Sequence, residues 1–413
     1  MNDRLYDVCI AGAGPAGSTC AFYLARAGVR VLLLDRERFP RDKICGDAVC
    51  SPAHEHLRRM GVLQQIEAAG LGHWAAVGGL CSPKGIAFIG SSVDRTKPPL
   101  VIAIRRIVLD EKMVRAAQRA GANLVEEYPA GGLEFSRSEG VWTIRHARNG
   151  APPFRARVLV AADGSPSRIA RSLGMVTTRP QAVCSRAYVE AGSTGFEADG
   201  LVYYPPELLP GYCALFREAG GLLNFCAYIL PGGGCANADL RRMHEHLLRD
   251  DPHLRKVLGS RAHISKMQGA ELRLGGIARS AADHLLIVGD AAGQIDPFTG
   301  EGIHHAIEAA SIAAEVIAEG LRANDLSAAF LSCYHFRWQA AFGRDFRWSA
   351  RMARICARHP WLLDAAASLV RRRGTDFLRD WAEMMTGARP KSSYLRPNIA
   401  FTMMRELARQ WVA

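Results

Sequence analysis

Tyr6–Ile10 is a short apolar run broken only by Asp7, and it predicts a buried parallel strand. Apolar positions then recur at helical spacing from Ala16 to Ala27, and Gly28 supplies a stop. Val29–Leu34 predicts a second buried strand, closing on Asp35. A second strand–loop–helix joint lies far downstream. There, His284–Val288 predicts a strand, residues 293–302 a loop, and a long helix runs from about Gly302 to Gly320. Between the two joints the pattern changes. Ala182–Val189, Leu201–Tyr204, Tyr212–Arg217 and Leu222–Leu230 are short runs rich in β-formers, predicting an antiparallel sheet. One helix from about Ala238 to Leu258 is expected outside it. Tyr203, Tyr204, Tyr212, Phe216, Phe225 and Tyr228 lie along these strands. One face of them lines a substrate cavity and the other is core; Tyr212, Phe216, Phe225 and Tyr228 are the candidate substrate contacts.

The turns between these elements carry the chemistry. Gly12, Gly14 and Gly17 follow the first strand at once. Gly12 permits a tight turn, Gly14 lets backbone approach a pyrophosphate, and Gly17 lets helix and strand pack closely. Pro15 and Ala16 begin a helix whose N-terminus offers free N–H groups and partial positive charge to phosphate. Asp35, eighteen residues past Gly17, is placed to accept from a ribose. Arg36 and Arg38 beside it suit a cofactor phosphate, although a solvated turn is the simpler reading of both. This first motif serves FAD and NAD alike. The second segment decides for FAD: Gly289-Asp290 ends a strand with a carboxylate suited to a ribityl hydroxyl. The loop through Pro297, Gly300, Glu301, Gly302 and Ile303 opens a helix whose dipole stabilises negative charge on a reduced ring.

These readings define an α/β chain. A Rossmann-type FAD-binding domain takes residues 1–80, 102–180 and 276–330, with a β-sheet substrate domain inserted at 181–275. Residues 81–101 are assigned provisionally to that sheet, and 331–413 form a helical C-terminal region. At 413 residues the chain buries a large core. The first strand starts within six residues of Met1, leaving no room for a signal peptide, and no apolar run reaches the ~18–20 residues of a membrane span. A cytoplasmic location, with membrane association, is the expectation. The net charge of +12 is carried partly by Arg337, Arg344, Arg351 and Arg358, seven apart, with Arg347 and Arg354 between them, and by Arg371, Arg372 and Arg373. Such a face attracts an anionic membrane surface or a protein partner, or is simply solvated. No nucleic-acid motif accompanies it. The eleven cysteines include no Cys-x-x-Cys pair and no zinc spacing, so no metal site is expected. Cys9 and Cys20 are expected to be packing thiols, and His54 and His56 a solvated helix face. His304 and His305 open the long helix as flavin or substrate contacts or as a polar first turn.

Several segments together resemble the geranylgeranyl reductase family of FAD-dependent oxidoreductases, within the para-hydroxybenzoate hydroxylase-like flavoproteins. They are Gly12–Ser18, Phe39–Asp47 with Arg41, Cys45 and Gly46, Arg106–Asp110, Ala161–Ser167 with Asp163 and Gly164, and Gly289–Ile303. The resemblance implies FAD contacts from Arg41, Cys45, Gly46, Arg106, Asp163 and Gly164. It implies NADPH or NADH as an electron donor and an apolar, isoprenoid-like small-molecule or lipid substrate with a double bond to reduce. It also places Cys45 over the flavin as the proton donor; a buried structural thiol is the plainer alternative. Where the prenyl-specific members carry Tyr-x-Trp-x-Phe-Pro, this chain has Tyr212, Ala214, Phe216 and Arg217. That departure keeps open a monooxygenase acting on an aromatic, apolar or protein-bound substrate, and a non-catalytic flavin protein. None of the seven tryptophans has the Trp-x-Trp spacing of related halogenases.

Overall fold

A computed structural model describes residues 4–91, 97, 99–148, 150–230, 240–260 and 262–395. Cys235, the start of the expected 238–258 helix and the end of the 331–413 region lie outside the described residues.

The first sheet runs Ala281–Ala282, Leu285–Ile287, Phe154–Ala161, Leu5–Ala11, Val31–Leu34, Asn123–Val125. Every pairing along this order but the first is parallel, and Val31–Leu34 is buried throughout, as a strand covered on both faces requires. An antiparallel hairpin, Ala130–Ser136 with Val141–His146, extends it from Phe154–Ala161. The helices Pro15–Arg26 and Ile303–Ala323 pack together on one face. The long helix turns Ala306, Ala309, Ala310 and Ala313 into the core, and these small side chains permit the close approach.

The second sheet has seven strands, in the order Gln268–Leu272, Ala182–Glu190, Leu222–Ile229, Tyr212–Glu218, Gly200–Tyr203, Val77–Cys81, Ala87–Ser91. It is antiparallel except where Val77–Cys81 runs parallel to Gly200–Tyr203. Two helices, Leu240–Arg249 and Pro252–Leu258, cover its outer face where one was expected. The break is chemical. Asp251 accepts from the N–H groups of His253 and Leu254, and Pro252 occupies the first turn of the new helix.

The C-terminal region is helical over Ala328–Trp338, Arg344–Arg358, Trp361–Arg373 and Thr375–Met385, with a π-helical turn at Gln339–Gly343. Arg344–Arg358 buries Ala353 and Cys356 against Met384 and Met385. Its arginines at 344, 347, 351, 354 and 358 are exposed. No helix among the described residues is long and apolar enough to cross a membrane.

Candidate active site

The two glycine segments meet at one cavity lined by Gly14, Pro15, Ala16, Arg106, Asp290 and Gly302, among others. Sterics impose the glycines. Gly12 has φ +106°, and a Cβ there would lie 2.3 Å from the Ala162 carbonyl oxygen. A Cβ on Gly17 would lie 1.7 Å from the Gly12 oxygen, and one on Gly289 2.7 Å from Ala16 Cβ. Gly14 is less confined: a Cβ there would meet only Arg41 Nη2, at an ordinary contact distance of 3.8 Å. The helix Pro15–Arg26 begins there without a side-chain cap, leaving its N-terminal dipole to the cavity. This uncapped helix end, lined by Gly14 and Pro15 at the cavity, fits a pyrophosphate.

A buried ionic chain holds the cradle. Asp35 Oδ2 accepts from Ala13 N at 2.8 Å and from Arg41 Nη2 at 3.3 Å. Arg41 Nη1 reaches Asp110 Oδ2 at 2.8 Å, and Arg106 forks onto both oxygens of Asp110 at 2.7 and 2.8 Å. Burial pushes the Asp110 carboxyl up, but Arg106 and Arg41 outweigh it and hold it below the usual carboxylate range. Asp290 is likewise raised by burial and pulled lower by Lys43, whose Nζ donates to Oδ2 at 2.8 Å.

The inner face of the second sheet roofs the cavity. Tyr212, Phe216, Cys184, Cys226 and Tyr228 line it, with Cys45 from the loop below. Tyr228 Oη donates to the Pro297 carbonyl at 3.0 Å and Tyr212 Oη to the Thr299 carbonyl, tying sheet to flavin-side loop. Burial pushes the Cys45 thiol up, partly offset by Arg106. At the polar end of this face Tyr188 Oη and Asn224 Nδ2 each donate to Asp47 Oδ2 at 2.7 Å. Burial raises Asp47 to about 6 despite these bonds, and raises Glu218 to about 9, with the Asp47 charge adding to it.

A second, apolar cavity abuts the first. It is lined by Gly78, Leu100, Val202, Leu378, Trp381 and Met385, among others. Ala48, Tyr212, Phe216 and Glu301 line both cavities.

Of the sequence candidates, Gly14, Pro15, Ala16, Cys45, Gly46, Arg106, Gly164, Asp290, Gly300, Glu301, Gly302, Ile303, Tyr212, Phe216 and Tyr228 line the cavity. Gly12, Gly17, Asp35, Arg41 and Gly289 stand behind it as supports. Asp163 caps the helix Arg168–Ser172, accepting from the N–H groups of Arg168 and Ile169. Pro297 contributes through its carbonyl. Four expectations need correction. Arg36 is exposed and pairs with Glu37, so it belongs to the solvated turn. Phe225 is fully buried on the opposite face of the sheet, edge-on to His244, because its odd register position points away from the cavity. His54 and His56 are not a solvated face: His54 Nε2 bonds the Val49 carbonyl, and His56 joins Tyr23 and Glu308. His304 and His305 are buried rather than a polar first turn.

Asp110, Lys43, Asp47 and Glu218 were missed as site residues. Arg106 and Asp110 stand at i,i+4, a legible signal. Glu218 shares strand parity with Tyr212 and Phe216, which also places it on the inner face.

A family model for an FAD-binding domain matches residues 5–337. The chain is 48% identical to conditioned medium factor receptor 1 of Dictyostelium discoideum, over 98% of this chain and 81% of that one. It is 31% identical to a digeranylgeranylglycerophospholipid reductase of Methanothermobacter thermautotrophicus, over 85% and 87% of the two chains. A geranylgeranyl bacteriochlorophyll reductase-like protein from Thermoplasma acidophilum shares the fold with TM-score 0.78 at 21% identity, covering 98% of this chain and 99% of that one. With the FAD cradle complete in the geometry, the chain belongs to the geranylgeranyl reductase family of FAD-dependent oxidoreductases.

Proposed function

We propose that this enzyme reduces a carbon–carbon double bond in an apolar, isoprenoid-like substrate, with NADPH, NADH or another reductant as electron source. The observation that carries the reading is the apolar cavity opening onto the cofactor cavity at Ala48, Tyr212, Phe216 and Glu301. A hydrocarbon chain lying in it brings one end to the cofactor while its tail stays out of water. FAD, when bound, supplies the hydride. Gly14 and the helix N-terminus behind it would hold the pyrophosphate, and Asp290 the ribityl chain. Arg106 would hold charge near the ring, and Tyr212 and Tyr228 the loop beneath it. Cys45, kept protonated by burial, would give a proton to the neighbouring carbon. The exposed arginine row of Arg344–Arg358, with Ile355 and Trp361 exposed beside it, suits docking on an anionic membrane that supplies such a lipid.

Anaerobic turnover with a geranylgeranyl-chain lipid and a prenylated quinone, read by product mass, tests the reading. Gain of two hydrogens without oxygen is expected, and Cys45→Ala should slow it by ~10²-fold or more. Product formed only in oxygen would replace the reductase with a monooxygenase, the reading that the Ala214 and Arg217 departures keep open. Bound FAD with no turnover on any probe would favour a non-catalytic ligand-binding role, as the name of the Dictyostelium relative suggests.

A further inference from the structure

Where the two cavities meet, three unlike donors converge. Cys50 ends the strand Ala48–Cys50, Glu301 precedes the long helix, and His304 lies in its first turn. Cys50 Sγ, a Glu301 carboxylate oxygen and a His304 ring nitrogen lie within 4.8 Å of one another. His304 is 5% exposed and Cys50 1%.

The hydrogen-bond pattern leaves this cluster short of a cation. His305 Nδ1 lies 3.2 Å from the Glu301 backbone carbonyl, which can only accept, so Nδ1 carries the hydrogen. In the neutral ring Nε2 of His305 is then an acceptor, and His304 Nε2, 3.1 Å away, must donate to it. With a single ring hydrogen, on Nε2, His304 presents a bare lone pair at Nδ1. That atom is buried without a hydrogen-bond partner and faces Glu301 Oε2 at 3.6 Å. A bare lone pair facing a carboxylate across 3.6 Å, with a thiol sulfur beside both, is an arrangement that a cation seated between them satisfies.

We propose that Cys50, Glu301 and His304 form a binding site for a late first-row divalent cation, zinc foremost. Thiolate, imidazole and carboxylate are the zinc donor types, and three protein ligands with one open position is the arrangement of a reactive rather than a structural zinc. Thiolate and carboxylate together cancel a divalent charge. Binding forms the metal–sulfur bond and releases the thiol proton to solvent. A contraction of about an ångström, by side-chain rotation, brings the donors to bonding distance. His305 supplies the outer hydrogen bond that fixes the tautomer of a metal-binding histidine. Cys50 and Glu301 both line the apolar cavity, so the open position faces it and is free for water or a substrate oxygen.

The test uses FAD-loaded protein and metal alone, without substrate. Dialysed wild-type protein should take up one Zn²⁺ or Co²⁺ per chain by elemental analysis. X-ray absorption of the zinc form should show one sulfur among nitrogen and oxygen neighbours. Cys50→Ser and His304→Gln should each weaken Co²⁺ binding by ~100-fold or more while flavin absorbance is unchanged. Wild-type metal content no higher than that of the double variant would overturn the proposal. So would a sulfur-free coordination shell, or a His304 ring carrying hydrogens on both nitrogens by NMR in metal-treated protein.

Discussion

Glu218→Gln should stabilise the protein, and increasingly so as pH rises. Glu218 is 2% exposed on the inner face of the second sheet, and neither carboxyl oxygen has a hydrogen-bond partner. Burial, reinforced by the Asp47 charge, raises it from 4.5 to about 9, against the opposing pull of Arg105 and Arg186. Between those two values the folded state keeps the proton and the unfolded chain releases it. The fold then binds more protons than the unfolded state, so stability is highest below the unfolded pKa and falls as pH rises through the window. At ~1.4 kcal/mol per pH unit, holding this carboxyl neutral costs the fold up to ~3 kcal/mol at pH 7. Asp47, raised to about 6, adds a loss of the same sign over a narrower and more acid range. Gln has the shape of the protonated acid and no proton to lose. Denaturant unfolding of FAD-loaded protein at about pH 5, 7 and 9 measures the effect. The two proteins should differ by less than ~1 kcal/mol at about pH 5 and diverge by a further ~2–3 kcal/mol by neutral pH. Parallel curves across the range would show that Glu218 is ionised in the fold.

Gly17→Ala drives a Cβ to 1.7 Å from the Gly12 oxygen, so FAD affinity should fall by ~100-fold or more in a fluorescence titration; unchanged affinity would separate the cradle from the cofactor. Asp251→Ala removes the cap of Pro252–Leu258 and the acceptor of Tyr203 Oη, and should cost ~1–2 kcal/mol in denaturant unfolding with FAD content unchanged. Reversing Arg347, Arg351 and Arg354 to Glu should abolish co-sedimentation with anionic vesicles, and raised salt should do the same to the wild type; binding that survives both would remove the membrane role.

The cofactor half of the site was legible because steric demands leave local marks. Gly12 and Gly17 sit where a Cβ would strike backbone, and each stands at a fixed distance from its strand or helix. The second sheet was legible as strands but not as a surface. Alternation places Tyr212, Phe216 and Tyr228 on one face with Asn224 and Glu218, and Phe225 on the other; it does not say which face meets the cofactor. That choice is made by the helices Leu240–Arg249 and Pro252–Leu258, whose apolar sides cover Phe225. The strands Val77–Cys81 and Gln268–Leu272 were harder still, because glycines at 78 and 79 and exposed polar positions at 268 and 271 weaken their pattern. Lys391 carries no sequence signal at all. It enters a site formed by Asp296 and Asp345, at 2.9 and 3.1 Å, from a stretch far along the chain.

That last contact bears on how the site keeps its shape. Asp296 stands at the turn of the flavin-side loop, where Oδ1 accepts from the N–H groups of Phe298 and Thr299 and Oδ2 from Ser349 Oγ. Burial would push its carboxyl up, but Lys391 outweighs this and holds it at about 2. The charge is therefore present at any working pH, and the turn it organises carries Thr299 and Glu301 to the boundary between the cavities. The C-terminal helices thus do more than close one wall of the apolar cavity through Leu378, Trp381 and Met385. Through Ser349 and Lys391 they also fix the loop on which Glu301 sits. The loop that carries Glu301 to both cavities is consequently held by the buried Lys391–Asp296–Asp345 cluster and the Ser349 bond as well as by Tyr212 and Tyr228, and the fold common to many flavoproteins leaves its chemistry to residues of this kind.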